Sequence, residues 1–299
     1  MSGAVELGQA RLDSLGRLVE LGGVEIVGPE VCAWRAPTDN DDGHGPVEYW
    51  DVAPTPQNMG GGSATGGAWG TPSSADRWRE ARLHLLRERS CGIEIDDDAV
   101  TVRSRAGAPS RQWRLDVTTR FTAERGGLRM RTTIEPSGPL PSVLPRLGIR
   151  LGLPAGLEKA TWSGTGPAPS YADMDLAARH GVFQGQIEDL WEMQVRPQEG
   201  GTHPGLRSLW LTGQDEAGPL RLMVLTHGAP AFSLSAWHLD NLTAANHVEE
   251  LNKDEHLWLH LDGLHHGIGT RSCGPDTRPQ FAATARTVVL DAWIGVQRG

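Results

Sequence analysis

Four histidines, His256, His260, His265 and His266, fall within eleven residues of one another, and a run of Arg271, Ser272 and Cys273 follows them. Imidazoles at this density suggest zinc. His260 shares a strand face only with its alternate neighbours, however, and no second set of ligands accompanies it. The histidines therefore read as loop and surface groups with hydrogen-bonding roles. Asp39, Asp41 and Gly43 have the look of a calcium loop, but Gly43 takes the fifth ligand place and Trp50 the twelfth, where a bidentate Glu belongs. A turn whose Asp and Asn side chains cap backbone N–H groups fits better. Gly164-Thr165-Gly166 is followed by Pro169 where a third glycine is needed, so no dinucleotide loop is present. No Gly-x-Ser-x-Gly elbow occurs either.

A retaining glycosidase requires two carboxylates about 5 to 5.5 Å apart, and no pair of Asp or Glu in this chain stands in a strand-end context that singles it out. Eleven Trp against two Tyr and four Phe are the unusual entry in the composition. Indole rings suit sugar faces, yet most Trp serve as core residues, so the composition allows sugar contact without demanding it.

The elements that must position these groups are strands. Leu257, Leu259 and Leu261 alternate with Trp258, His260 and Asp262, and the chain then breaks into a glycine-hinged loop that ends at Pro275. That loop is expected to hold up His265, His266, Arg271, Ser272 and Cys273 as a binding surface. Alternation also marks Ile93–Ile95, Val100–Arg103, Trp113–Phe121, Leu128–Ile134 and Arg146–Leu151, each expected to bury every second residue. Further strands are expected at Ser208–Thr212, Leu220–Thr226 and Ala231–Ala236. This spacing predicts antiparallel sheets in an all-β sandwich. Two short helices are expected: Ala75–Leu83, with Ser74 as its cap and Trp78 and Leu83 turned inward, and Leu239–Leu251, started by Asp240 or Asn241. The division is a tail over 1–11 and one domain over 12–299, with a Gly/Pro/Ser-rich loop at 53–75.

The net charge of −9 argues against nucleic acid or an anionic membrane as partner. No signal peptide or bilayer-spanning run is seen, so a cytoplasmic protein is expected. Three widely spaced cysteines indicate no disulfide framework and no metal clip, and Cys32 and Cys91 are expected to be buried thiols.

Trp34-Arg35-Ala36-Pro37-Thr38-Asp39-Asn40-Asp41, Gly164-Thr165-Gly166-Pro167 with Tyr171 and Asp173, Arg196-Pro197-Gln198-Glu199-Gly200-Gly201, and Leu261-Asp262-Gly263 through Gly267-Ile268-Gly269 to Gly274-Pro275 occur in that order. Together they resemble the C-terminal domain of family 2 glycoside hydrolase β-galactosidases, which also exists as a separate small chain. The likeness spans roughly residues 12 to 295. It implies a large antiparallel supersandwich of the galactose-mutarotase-like type, with one or two short helices. It also implies that the catalytic glutamates lie on a TIM barrel outside this sequence, in an upstream region or large subunit. On this reading the chain is non-catalytic, needs no cofactor or metal of its own, and completes the rim around a β-galactoside through His265, His266, Arg271, Ser272 and Cys273. A homo-oligomer is compatible with it. Cys273 stands where the family's Ser-Trp-Gly-Pro places a Trp. A stand-alone carbohydrate-binding module and an aldose-1-epimerase-like enzyme are the alternatives.

Overall fold

A computed structural model describes residues 4–43 and 72–299. Sixteen strands run in chain order as β1 (Val5–Leu7), β2 (Ala10–Leu12), β3 (Leu18–Leu21), β4 (Val24–Cys32), β5 (Arg87–Ile95), β6 (Ala99–Gly107), β7 (Arg114–Glu124) and β8 (Gly127–Ser137). They continue as β9 (Arg146–Pro154), β10 (Leu157–Gly166), β11 (Arg179–Gln186), β12 (Ser208–Asp215), β13 (Gly218–His227), β14 (Ala231–Ser235), β15 (His256–His265) and β16 (Val288–Arg298). A seven-stranded sheet has the order β1-β2-β3-β4-β9-β15-β14, and a nine-stranded sheet the order β11-β10-β12-β13-β16-β8-β7-β6-β5. Every pairing is antiparallel, as the alternation predicts.

The nine-stranded sheet shows why alternation was visible. Leu115, Val117, Thr119 and Phe121 of β7, Leu128, Met130, Thr132 and Ile134 of β8, and Val288, Leu290, Ala292 and Ile294 of β16 are all buried. The opposite face of the sheet carries charge, including Arg129 and Arg131 on Asp291 at 2.8 and 3.1 Å. One side therefore packs on the core while the other stays wet. In the seven-stranded sheet β9 and β15 sit away from the edges and are covered on both faces, so His260 and Asp262 are as enclosed as the leucines between them.

Several expectations need correction. The stretch read as a tail contains β1 and all but the last residue of β2, paired from Val5 opposite Leu12 to Leu7 opposite Ala10; strands of three residues are too short to show a period. β5 is an edge strand and leaves Ile95 half exposed, so it does not bury every second residue, and its Cys91 is exposed rather than interior. The first helix, α1 (Ser74–Glu80), is capped by Ser73: the Ser73 hydroxyl accepts from the Asp76 N–H while the Asp76 carboxylate accepts from the Ser73 N–H. Trp78 and Leu83 are buried as expected, Leu83 from a separate 3₁₀ turn. The second helix is shorter than read. It is α2 (Leu239–Ala244), entered through His238, and a separate 3₁₀ turn forms at Val248–Glu250. Asn246 ends the helical run by donating its N–H to the Glu250 carboxylate at 2.9 Å. Within the loop expected at 53–75, residues 53–71 lie outside the described residues, and Pro72 to Ala75 lead into and begin α1.

Candidate functional site

The loop after β15, residues 267–276, is held from three directions. Arg35, fully buried, supplies the first. Its guanidinium makes a two-point bond to Asp41 at 2.7 and 3.0 Å, and its remaining N–H groups reach the carbonyls of His266 at 2.6 Å and Gly267 at 2.9 Å. Asp41 also accepts from the Thr38 N–H at 2.9 Å, so the acidic run is a self-capped turn that aims one arginine at the loop.

Asp173 supplies the second hold, accepting the N–H groups of Ile268 and Gly269 at 2.9 and 2.7 Å. A Cβ on Gly267 would stand 2.6 Å from that carboxylate, and Gly269 has φ of +66°, so both positions favour glycine for stated reasons. Asn40 is the third. Its Oδ1 accepts from the Ser272 N–H at 3.1 Å and the Ser272 hydroxyl at 2.6 Å, and its Nδ2 donates to the Gly269 carbonyl at 2.9 Å. Arg196 and Gln198 in turn hold Asp39 at 2.8 and 3.2 Å.

Four segments far apart in sequence thus converge, and their convergence decides what each proposed site residue can do. Ser272 and Cys273 are exposed at the crest of the loop. His266 and Arg271 are buried, which corrects the expectation that the loop holds them up to solvent. Arg271 faces Asp276 at 3.5 Å and the Pro72 carbonyl at 3.3 Å, and His266 packs edge-on against Trp78. His265 is half-buried, with Nε2 3.2 Å from the Thr202 hydroxyl. The loop accordingly offers a crest of Ser272 and Cys273 over a rigid base of His265, His266 and Arg271.

Beneath the base lies a group of charges that the sequence did not point out. Arg146 forms a two-point pair with Asp262, the shortest contact being 2.6 Å, and its Nη1 is 3.8 Å from Glu199. Glu199 accepts from the Tyr171 hydroxyl at 3.2 Å, the Thr202 hydroxyl at 2.9 Å and the Gly201 N–H at 3.3 Å, all on Oε1. Burial, reinforced by the Glu199 charge, pushes Asp262 up to about 6 against the pull of Arg146. Burial holds His260, His265 and His266 well below their ordinary value, helped by Arg146 for the first two and by Arg35 for His266, so all three are neutral near pH 7. A signal did exist at Arg146: it is a charge inside an apolar strand run, which demands a buried partner.

The family described as beta galactosidase small chain matches residues 9–292. This chain belongs to that family. Among curated relatives, a β-galactosidase of Arthrobacter sp. strain B7 is 38% identical over 96% of this chain and 28% of its own length. One from Aeromonas hydrophila is 30% identical over 83% of this chain and 22% of its own, and one from Pectobacterium atrosepticum 29% over 79% and 20%. The chain therefore spans about a quarter of the curated relatives it matches, and it corresponds to a part of those enzymes. Among solved structures, a putative aldose 1-epimerase from Escherichia coli K12 covers 99% of both chains at 9% identity with a TM-score of 0.47. A galactose mutarotase-like protein from Lactobacillus casei covers 97% of this chain and 93% of its own at 11% identity and 0.45. Among the described residues no helix is long and apolar enough to cross a membrane.

Proposed function

We propose that this chain is the small-chain portion of a β-galactosidase, completing the sugar-binding rim of a catalytic region that lies outside this sequence. The observation that carries the reading is the fixed crest of Ser272 and Cys273, pinned by Asn40 while the loop beneath is pinned by Asp173 and Arg35. A loop that recognises a ligand gains from being ordered before it binds. A loop with no such role has little reason to be tied by side chains up to 232 residues away in sequence. In this role Cys273 meets the outer sugar as a small, soft contact rather than a stacking face, which loosens selection of the leaving group. Retaining hydrolysis by two carboxylates belongs to the catalytic region.

The test is reconstitution. The chain alone is expected to leave a chromogenic β-galactoside intact, and addition of the catalytic region is expected to restore hydrolysis. Hydrolysis by the chain alone, or full activity of the catalytic region without it, would overturn the reading.

A further inference from the structure

Among the described residues the four most exposed large apolar side chains all belong to one excursion, residues 174–195, which runs from the turn after β10 through β11 and back toward β12. Leu176 stands wholly in solvent, and Val195, Val182 and Met174 are 86, 73 and 55% exposed. Single exposed apolar residues are ordinary, but several within one short stretch mark a surface that a partner covers. β11 adds a second signal. It is an edge strand of the nine-stranded sheet, paired with β10 alone, and it carries neither the proline nor the lysine that commonly guards a free edge.

The excursion is tied at both ends to the segments that build the crest. At its start the backbones of Tyr171 and Met174 bond each other in both directions, at 2.9 and 3.3 Å, and between them Asp173 accepts the Ile268 and Gly269 N–H groups. At its end Arg196, next to Val195, reaches Asp39 at 2.8 Å and the Pro37 carbonyl at 3.2 Å. Asp39 in turn precedes the Asn40 that grips Ser272. Met174, Leu176 and Val195 therefore flank the crest, and a body seated on them abuts Ser272 and Cys273.

Charge chooses between occupants. Asp175, Glu188, Asp189 and Glu192 are exposed in the same stretch; Lys253 answers Glu188, and Arg179 is the stretch's own cation. A second copy of this chain would set these carboxylates against their own kind and close over the crest. A partner with an apolar face bordered by basic side chains meets no such conflict. We propose that residues 174–195 are the docking surface for the catalytic region of the enzyme, which presents such a face and is thereby held against the crest. This rests on the rim reading and deepens it, by naming what holds the crest in place.

Titration of the catalytic region with the chain tests it, with assembly read by sedimentation and hydrolysis read separately. Leu176→Arg and Val195→Arg are each expected to raise the dissociation constant about tenfold or more, because each sets a cation against an apolar face with a basic border. Both positions are exposed, so the urea midpoint of either variant should match that of the parent chain. At saturating chain both should restore hydrolysis to the parent level, since neither alters the crest. Ile95→Arg, on the opposite edge of the same sheet, should assemble as the parent does. Parent affinity in Leu176→Arg and Val195→Arg overturns the proposal, as does an equal loss in Ile95→Arg, or self-association of the chain that the two variants abolish. The rim reading fails by a different result, full activity of the catalytic region without the chain, and the affinity measurement stands apart from it.

Discussion

Asn40 grips Ser272 twice through one oxygen, taking both its backbone N–H and its hydroxyl, across 232 residues of chain. The same side chain donates to the Gly269 carbonyl. Asn40→Ala removes all three bonds in a largely exposed setting, where each is worth about 0.5–1.5 kcal/mol and water replaces most of the loss. Stability is expected to fall by only ~1 kcal/mol in urea unfolding. The crest, in contrast, loses its tether, and kcat/KM of the reconstituted enzyme is expected to fall roughly tenfold, within what a loosely placed contact costs. A large stability loss with unchanged kinetics would make Asn40 a folding residue only.

Cys273 is exposed, as is Cys91, whereas Cys32 is buried with its thiol against the Trp34 carbonyl at 3.3 Å and its titration pushed up by burial. Thiolates react and buried thiols do not. A disulfide-exchange reagent should therefore modify two cysteines in the native chain and the third only after denaturation. Cys273→Trp should leave stability within about 0.5 kcal/mol, as surface changes do, and should increase inhibition of the reconstituted enzyme by a monosaccharide product that stacks at the rim. Unchanged inhibition would remove Cys273 from the rim.

Two arginine–carboxylate pairs separate burial from mere proximity. Arg146 and Asp262 are both sealed from solvent, and Asp262→Ala would strand a guanidinium inside the protein; a loss of about 3–5 kcal/mol is expected. Arg129 is 39% exposed beside Asp291, so water screens that pair, and Arg129→Ala should leave the urea midpoint nearly unchanged. Comparable losses in urea unfolding for the two variants would contradict the enclosure of the Arg146 group.

The sandwich was legible because β7, β8 and β16 bury alternate residues against a single core, and alternation survives in sequence without any knowledge of partners. The loop after β15 was legible only as ordered motifs. That Arg35 points at His266 and Gly267, or that Asn40 grips Ser272, depends on chain crossings that no local period encodes. The same holds for the buried charges, where Arg146, Glu199 and Asp262 meet from three separate segments. Burial of His266 and Arg271 was misread for a physical reason: glycine-rich polar loops are normally surface features, and here α1 covers the base of the loop, with Trp78 packed on His266 and Ser74 reaching Asp276.

Acid should destabilise the fold, and the sign follows from the histidines. Burial keeps His260, His265 and His266 from accepting protons well below their ordinary value of 6.5, while the unfolded chain accepts them as pH falls through that value. Below about pH 6.5 the unfolded state therefore binds more protons at these three sites, and their contribution to stability, complete above that pH, is lost as pH falls. Asp262 works in the opposite direction. Raised to about 6 from an ordinary 3.8, it takes up a proton in the folded state first, which favours folding at low pH and is lost as pH rises through about 6. Burial also lowers His84 and His203 and also raises Asp276, so the lowered imidazoles outnumber the raised carboxylates and the net slope is a loss on acidification. The urea midpoint is expected to be lower at pH 5 than at pH 7. His260→Leu should flatten this dependence, because its imidazole is 4% exposed and its Nδ1 has no hydrogen-bonding partner among the described residues, so an apolar side chain of similar size leaves nothing stranded. A midpoint that rises on acidification, or a His260→Leu slope identical to that of the parent chain, would show that these histidines are not the groups that set it.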